Sequence, residues 1–256
     1  MIEVENIRYR YPEGEPVLKD VSFTVAENEK VVLLGANGSG KTTLLHVLNG
    51  LIFPQEGTFR YCGEPVTKRR LRDRGWGRRF RKEVVLLFQY PEAMLFNPTV
   101  YDEIAYGLRQ IGAADLDGRV RDCAARLGVD RYLERPPFQL SGGEKQKVCL
   151  ASLLALEPKV LLLDEPTANL DARSAGWLVE FLQDLPVTSI ATTHNLSLAG
   201  DLGKRTLVLS EAHDLIFDGD LDNLLRDEEK LLAANLVHVH QHRHDRVRHR
   251  HLHCHE

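Results

Sequence analysis

A chain of 256 residues with 43% apolar content is long enough for a packed core, which excludes an intrinsically disordered protein. The net charge of -4 averages over two basic tracts, residues 68–82 and the C-terminal tail, and so names no class of partner. Four cysteines without a CxxC pair exclude a disulfide framework and a zinc knuckle, no apolar run is long enough to span a bilayer, and the opening MIEVENIRYRY lacks the layout of a signal peptide.

In chain order, strands are expected near residues 2–8 and 17–25, then a short buried strand over 30–34. The strand runs into Gly35-Ala36-Asn37-Gly38-Ser39-Gly40-Lys41-Thr42, which fits G-x-x-x-x-G-K-[ST]. Glycines let the backbone curl around phosphate oxygens without Cβ clashes, so successive N–H groups and a helix N-terminus face negative charge. Lys41 would reach the β and γ phosphates and the Thr42 hydroxyl would ligate Mg2+. The helix that follows carries Leu44, Leu45 and Leu48 on one face, with Gly50 just past its end.

A strand near 58–62 precedes KRRLRDRGWGRRFRK, nine basic residues in fifteen with two aromatics. Such a tract fits a nucleic-acid footprint, but on a solvated connection it reads better as a solvated or membrane-facing surface. The strand EVVLLFQ ends at Gln89. Residues 99–112 form an amphipathic helix with Val100, Ile104, Leu108 and Ile111 on one side, preceded by Met94, Leu95 and Phe96; this patch is expected to accept a partner's helix.

Ser141 with Glu144 three residues on forms a capping box, opening a helix that runs to about 156 and stops at Pro158. Its free N–H groups make a second anion site. An apolar strand over 160–164 then delivers Asp164 and Glu165 at its C-terminal edge, where open α/β sheets bind ligands. Asp164 would take the metal and Glu165 would act as general base. A helix over 172–185 and strands over 188–192 and 206–210 complete the alternation of an α/β core.

The string LSGGEKQ, placed between a phosphate loop and an Asp-Glu strand, resembles the signature of ATP-binding cassette ATPases, and the resemblance covers roughly residues 1–220. It implies a P-loop NTPase (RecA-like) α/β core with an N-terminal antiparallel β portion and an inserted helical signature subdomain at about 92–157. A C-terminal helix over 221–236 and a disordered tail over 237–256 would follow. The resemblance places Tyr11 on adenine, and Gly35, Asn37, Gly38, Ser39, Gly40, Lys41, Thr42 and Thr43 on ATP. Ser141, Gly142 and Gly143 would meet the ATP of a second copy. Gln89 would be the lever glutamine touching Mg2+ and water, beside the metal residues Thr42 and Asp164. His194 would be the switch histidine next to the base Glu165, and Asp171 a dimer-contact residue. Asn169 and Asn195 stand where the family more often has glycine and aspartate.

The segment FQYPEAMLFNPTVYDEIAYGLRQIG, residues 88–112, is similar to the corresponding segment of energy-coupling-factor importers, especially cobalt and nickel ATPases. The resemblance implies an ATP-hydrolysing subunit at the cytoplasmic face of a cell membrane. It would form a head-to-tail homodimer and associate with integral membrane subunits, without nucleic acid. The alternative is a soluble cassette ATPase acting on nucleic acid or ribosomes; against it stand the absence of a coiled-coil heptad run and the presence of a single cassette.

The tail, VHVHQHRHDRVRHRHLHCHE, has eight histidines in twenty positions. The alternation of His238, His240, His242 and His244, repeated at His249, His251, His253 and His255, puts each set on one side of an extended chain. With Cys254 these residues suit a transition metal such as Ni2+ or Co2+.

Overall fold

The computed structural model describes residues 1–244 and 247–254, with the strand segments after Val237 described by their backbone. The chain forms two compact units, Met1–Thr67 with Ile190–Glu256, and Lys68–Ser189.

The first unit opens with β1 (Ile2–Arg10) and β2 (Pro16–Val25), an antiparallel pair. Ile2, Val4, Ile7 and Tyr9 are buried while their neighbours face water. The break in alternation between Val4 and Ile7 is a register shift, where Asn6 adopts a φ of 48° and donates its N–H to Ser22 Oγ at 2.7 Å. The chain continues through β3 (Lys30–Leu34), α1 (Lys41–Leu48), β4 (Glu56–Tyr61) and β5 (Glu64–Pro65). β4 pairs with the free side of β1, giving the order β2-β1-β4-β5. β3 is different in kind: Val31, Val32, Leu33 and Leu34 have no exposed surface, as expected for a strand covered on both faces.

The second unit begins with α2 (Arg74–Glu83), capped by Asp73, whose carboxylate accepts the Trp76 N–H at 2.7 Å. The basic tract expected as a solvated connection is therefore largely helical. Trp76 and Phe80, four residues apart, bury and stack with ring centroids 5.2 Å apart, so the aromatics anchor the helix. β6 (Val84–Leu87) and β7 (Val160–Leu163) run parallel, Val84 opposite Val160, and every residue of both is buried. Between them lie α3 (Val100–Ile111), α4 (Leu116–Leu127) and α5 (Gly142–Leu154), with α3 packed on both others. α6 (Ala172–Asp184) follows β7. This unit is wider than the 92–157 insertion read from the sequence.

Val100, Ile104 and Leu108 have no exposed surface. The apolar stripe of α3 is therefore internal core and not a docking face, because α4 and α5 already cover it. Each fully buried leucine or isoleucine there contributes roughly 1.5–3 kcal/mol.

The chain returns through β8 (Thr188–Thr193), α7 (Leu196–Leu202), β9 (Arg205–Leu209) and β10 (Leu215–Asp220). β9 lies parallel to β3, and β10 antiparallel to β9. The single C-terminal helix expected over 221–236 is instead two short ones, α8 (Leu221–Leu225) and α9 (Glu228–Ala233). The break falls where Asp227 caps the second helix, accepting the Lys230 N–H at 3.1 Å. The tail, expected without regular structure, forms β11 (Val237–His244) and β12 (Val247–Cys254). Alternating His with Val, Arg or Leu is a period-two pattern, and such a pattern pairs as a ribbon.

Candidate nucleotide-binding site

In the first unit the loop between β3 and α1 has the backbone its glycines permit. Gly40 sits at φ 109°, where a Cβ would lie 2.5 Å from the Val17 carbonyl oxygen. At Gly35 a Cβ would meet Ser39 Oγ at 2.5 Å and the Leu209 carbonyl oxygen at 2.7 Å. α1 has no side-chain cap and no acidic residue in its first turn, and a helix N-terminus of that kind suits an external anion. Lys41, 6% exposed, curls back and donates to the carbonyls of Gly35 and Ala36 at 2.7 and 3.1 Å. The Ser39 hydroxyl is buried and has no hydrogen-bond partner among the described residues. A cradle that excludes side chains, a buried ammonium and an orphan hydroxyl together fit a phosphate chain. Thr42, at the start of α1, is the residue of this loop suited to Mg2+, and Asn37 and Gly38 form the exposed crest.

Tyr11 is half-exposed; its hydroxyl lies 3.2 Å from Thr43 Oγ1 and its ring meets Tyr9 edge-on at 5.0 Å. A half-open aromatic at the flank of the phosphate loop is suited to stacking on a base. His194 follows β8 directly. Asn195, after it, caps α7 by accepting the Ser197 N–H at 2.8 Å. The asparagine thus fills a capping role that aspartate would also fill.

Two contacts of this loop carry no sequence signal. The Ala36 N–H donates to the Ala234 carbonyl at 3.2 Å, and His213 Nδ1 lies 3.3 Å from the Ser39 carbonyl. Both join backbone groups to distant segments, and no residue type marks them in advance.

In the second unit, Asp164 and Glu165 follow β7 and are 4% and 7% exposed. The Asp164 N–H donates to the Leu87 carbonyl at 2.9 Å, and Glu165 adopts a φ of 44°, a left-handed turn that a non-glycine residue takes at some cost. Gln89 lies two residues past β6, and its carbonyl accepts the Asn169 side-chain amide at 3.0 Å. Asn169 therefore ties the Gln89 segment to the loop after Glu165.

Ser141 caps α5 in a full capping box: Glu144 Oε2 accepts the Ser141 N–H and hydroxyl, both at 2.9 Å, while the Glu144 N–H donates back to Ser141 Oγ. The Tyr132 hydroxyl, then the Ser141 N–H, hold the Glu144 carboxyl below its ordinary range. Gly142 and Gly143 begin the helix, and Gln146 donates its amide to the Pro166 carbonyl, linking the signature helix to the Asp-Glu loop. Asp171 caps α6 through the N–H groups of Arg173 and Ser174, both at 3.0 Å. The Ser174 hydroxyl leads the interactions that lower its carboxyl.

Among the described residues no three His, Cys, Asp or Glu side chains gather into a metal site. The side chains of His238, His240, His242, His244, His249, His251, His253 and Cys254, and all of His255, lie outside the described residues. No described helix is long and apolar enough to cross a membrane.

A buried strand ending in a glycine-rich phosphate cradle over a helix N-terminus, in a mixed α/β fold, defines the class of P-loop NTPases. The sequence model described as "ABC transporter" matches residues 18–168, and the chain belongs to that family. A relative from Caldanaerobacter subterraneus subsp. tengcongensis, named as an ABC transporter ATP-binding protein, is 41% identical over 93% of this chain and 99% of its own length. One from Methanosarcina acetivorans is 40% identical, covering 93% and 89%.

Among solved structures, cbiO1 from Clostridium perfringens, part of the ABC transporter complex cbiONQ, aligns with a TM-score of 0.78 at 29% identity, covering 92% of this chain and 94% of that one. The ATP-binding cassette MJ0796, a dimer in a post-hydrolysis state bound to ADP and Pi, aligns with a TM-score of 0.76 at 26% identity, covering 86% and 99%. The chain is an ABC ATPase, the ATP-binding subunit of a transporter. None of the relatives named here is a nucleic-acid or ribosome protein, and the reading as a soluble nucleic-acid ATPase has no support.

Proposed function

We propose that this chain powers an energy-coupling-type importer of cobalt or nickel ions as a head-to-tail homodimer at the cytoplasmic face of the membrane. The observation that carries the cargo class is the likeness to cbiO1 over nearly the whole of both chains, together with the importer-like segment at residues 88–112. Within that segment Phe96 and Tyr106 are 66% and 43% exposed and meet edge-on at 4.9 Å, an aromatic pair suited to a membrane subunit.

In this reading Lys41 and the N–H groups of residues 37–43 hold the phosphates, and Tyr11 stacks on adenine. Thr42, Gln89 and Asp164 would hold Mg2+, which when bound would neutralise charge on the phosphates. Glu165 accepts a proton from the attacking water, and His194 stabilises the phosphate being released. Ser141, Gly142 and Gly143 close over the nucleotide of the second copy, in keeping with the dimeric form of MJ0796. The histidines and Cys254 of the tail would hold a transition metal.

The test is uptake of labelled nickel and cobalt into vesicles holding this chain with its membrane subunits. ATP-dependent uptake of either ion, lost in Glu165→Gln, is expected. A complex that hydrolyses ATP but moves neither ion overturns the cargo.

A further inference from the structure

The turn between β9 and β10 belongs to the same compact unit as the phosphate loop and backs it closely, since a Cβ on Gly35 would lie 2.7 Å from the Leu209 carbonyl oxygen at the end of β9. Within this turn His213 adopts a φ of 72°, the left-handed region that residues other than glycine enter uncommonly and at some cost. The backbone around it is tightly bonded. The Ser210 N–H donates to the Asp214 carbonyl at 3.0 Å, and the His213 N–H donates to the Ser210 carbonyl at 3.1 Å. The Ala212 N–H donates to Ser210 Oγ at 3.0 Å, and the Ser210 hydroxyl donates to the Asp214 carboxylate. The His213 carbonyl accepts the Lys19 N–H of β2 at 2.8 Å. None of these bonds needs an imidazole, so glycine would close the same turn without the left-handed cost. What the histidine adds is the contact of its ring.

That contact is with the phosphate loop. His213 Nδ1 lies 3.3 Å from the carbonyl oxygen of Ser39, a residue 2% exposed. A carbonyl oxygen has no proton to give, so this hydrogen bond requires the proton on Nδ1, with the imidazole as donor. The Ser39 carbonyl and the Gly40 N–H belong to one peptide unit. Because that unit is planar and trans, the two groups point to opposite sides. A donor that holds the carbonyl toward His213 therefore holds the Gly40 N–H away from it. The same bond polarises the peptide, which makes the N–H a stronger donor in turn. Gly40, at φ 109°, has no side chain of its own to fix this plane, so a contact from outside the loop has something to fix.

We propose that His213 is a positioning residue for nucleotide binding: its Nδ1–H holds the Ser39–Gly40 peptide so that the Gly40 N–H faces the phosphates. The inference rests on the reading of residues 37–43 as the phosphate cradle.

Calorimetric titration of the full-length chain with Mg-ADP, beside denaturant unfolding, tests the role with two substitutions. His213→Gly removes the donor and relieves the backbone. Its ADP affinity should fall by about 2- to 10-fold, the effect of losing one ordinary hydrogen bond. Its unfolding midpoint should change little, because relief of the left-handed conformation offsets the greater freedom of glycine in the unfolded chain. His213→Asn carries an amide N–H in the same covalent position as histidine Nδ1 and accepts a left-handed φ more readily than most residues. It should bind ADP close to the native affinity. Native ADP affinity in His213→Gly, equal weakening in both variants, or an affinity loss that follows a loss of stability would each overturn the inference. Lys41→Ala is the control: native-like ADP binding in that chain would instead sink the reading of the phosphate cradle.

Discussion

Glu165 is a buried carboxylate held in a left-handed turn. At 7% exposure and φ 44° it occupies a position that costs backbone energy, and the surrounding loop holds it there through Asp164 and Ala168. Glu165→Gln preserves the shape and removes the proposed base, so ATP binding should persist while turnover falls by about 10²–10⁴-fold. Steady-state hydrolysis beside nucleotide titration checks this, and near-normal turnover would reassign the base. Lys41→Ala should instead weaken nucleotide binding, since the ammonium belongs to the cradle itself. Cys149 makes a separate residue-scale case: burial pushes its thiol up to about 12, and the Sγ lies 3.6 Å from the Pro91 carbonyl. Only the thiolate alkylates, so iodoacetamide at mildly alkaline pH should label exposed Cys62 and spare Cys149. Peptide mapping of the folded chain reads the result, and rapid labelling of Cys149 would reveal opening of the α5 core.

At the scale of elements, α3 divides its labour between faces. Ile104 has no exposed surface, and Ile104→Ala should cost about 2–5 kcal/mol in denaturant unfolding. Glu103, 4% exposed, turns the other way and accepts the N–H groups of Phe96 and Asn97 and the Asn97 amide, so the helix fixes the loop that precedes it. That loop presents Phe96 beside Tyr106. Phe96→Glu or Tyr106→Glu removes no core contact and should change stability by less than about 0.5 kcal/mol. The same changes should weaken co-purification with the membrane subunits while nucleotide binding stays intact. Loss of all three properties together would mean misfolding, and with it the docking role would fall.

For the whole molecule, one chain carries one phosphate loop and one signature, in different compact units. In a head-to-tail dimer each nucleotide would meet the loop of one copy and the signature of the other. A mixture of Ser141→Arg and Lys41→Ala chains then contains dimers in which one intact loop faces one intact signature. The mixture should regain part of the ATPase activity that each variant lacks alone. No recovery, with mixed dimers demonstrated by tagged pull-down, would rule out shared sites.

The phosphate loop, the capping box at Ser141 and Glu144, and the buried strands β3 and β7 were legible in the residues because each is local. A glycine at a left-handed position, a hydroxyl bonding three residues on, and a run covered on both faces all leave their mark within a few positions. The stripe of α3 shows where locality ends: Val100, Ile104 and Leu108 announce an apolar face, but whether α4 and α5 or a partner covers it depends on packing between distant segments. The histidines of the tail announce a period of two, while the register that sets His240 opposite His251 needs both strands. The bonds from Asn169 to Gln89, from Gln146 to Pro166 and from Ala36 to Ala234 were invisible in the sequence. Each ends on a backbone carbonyl, a group every residue possesses, so only the folded path of the chain decides which carbonyl is met.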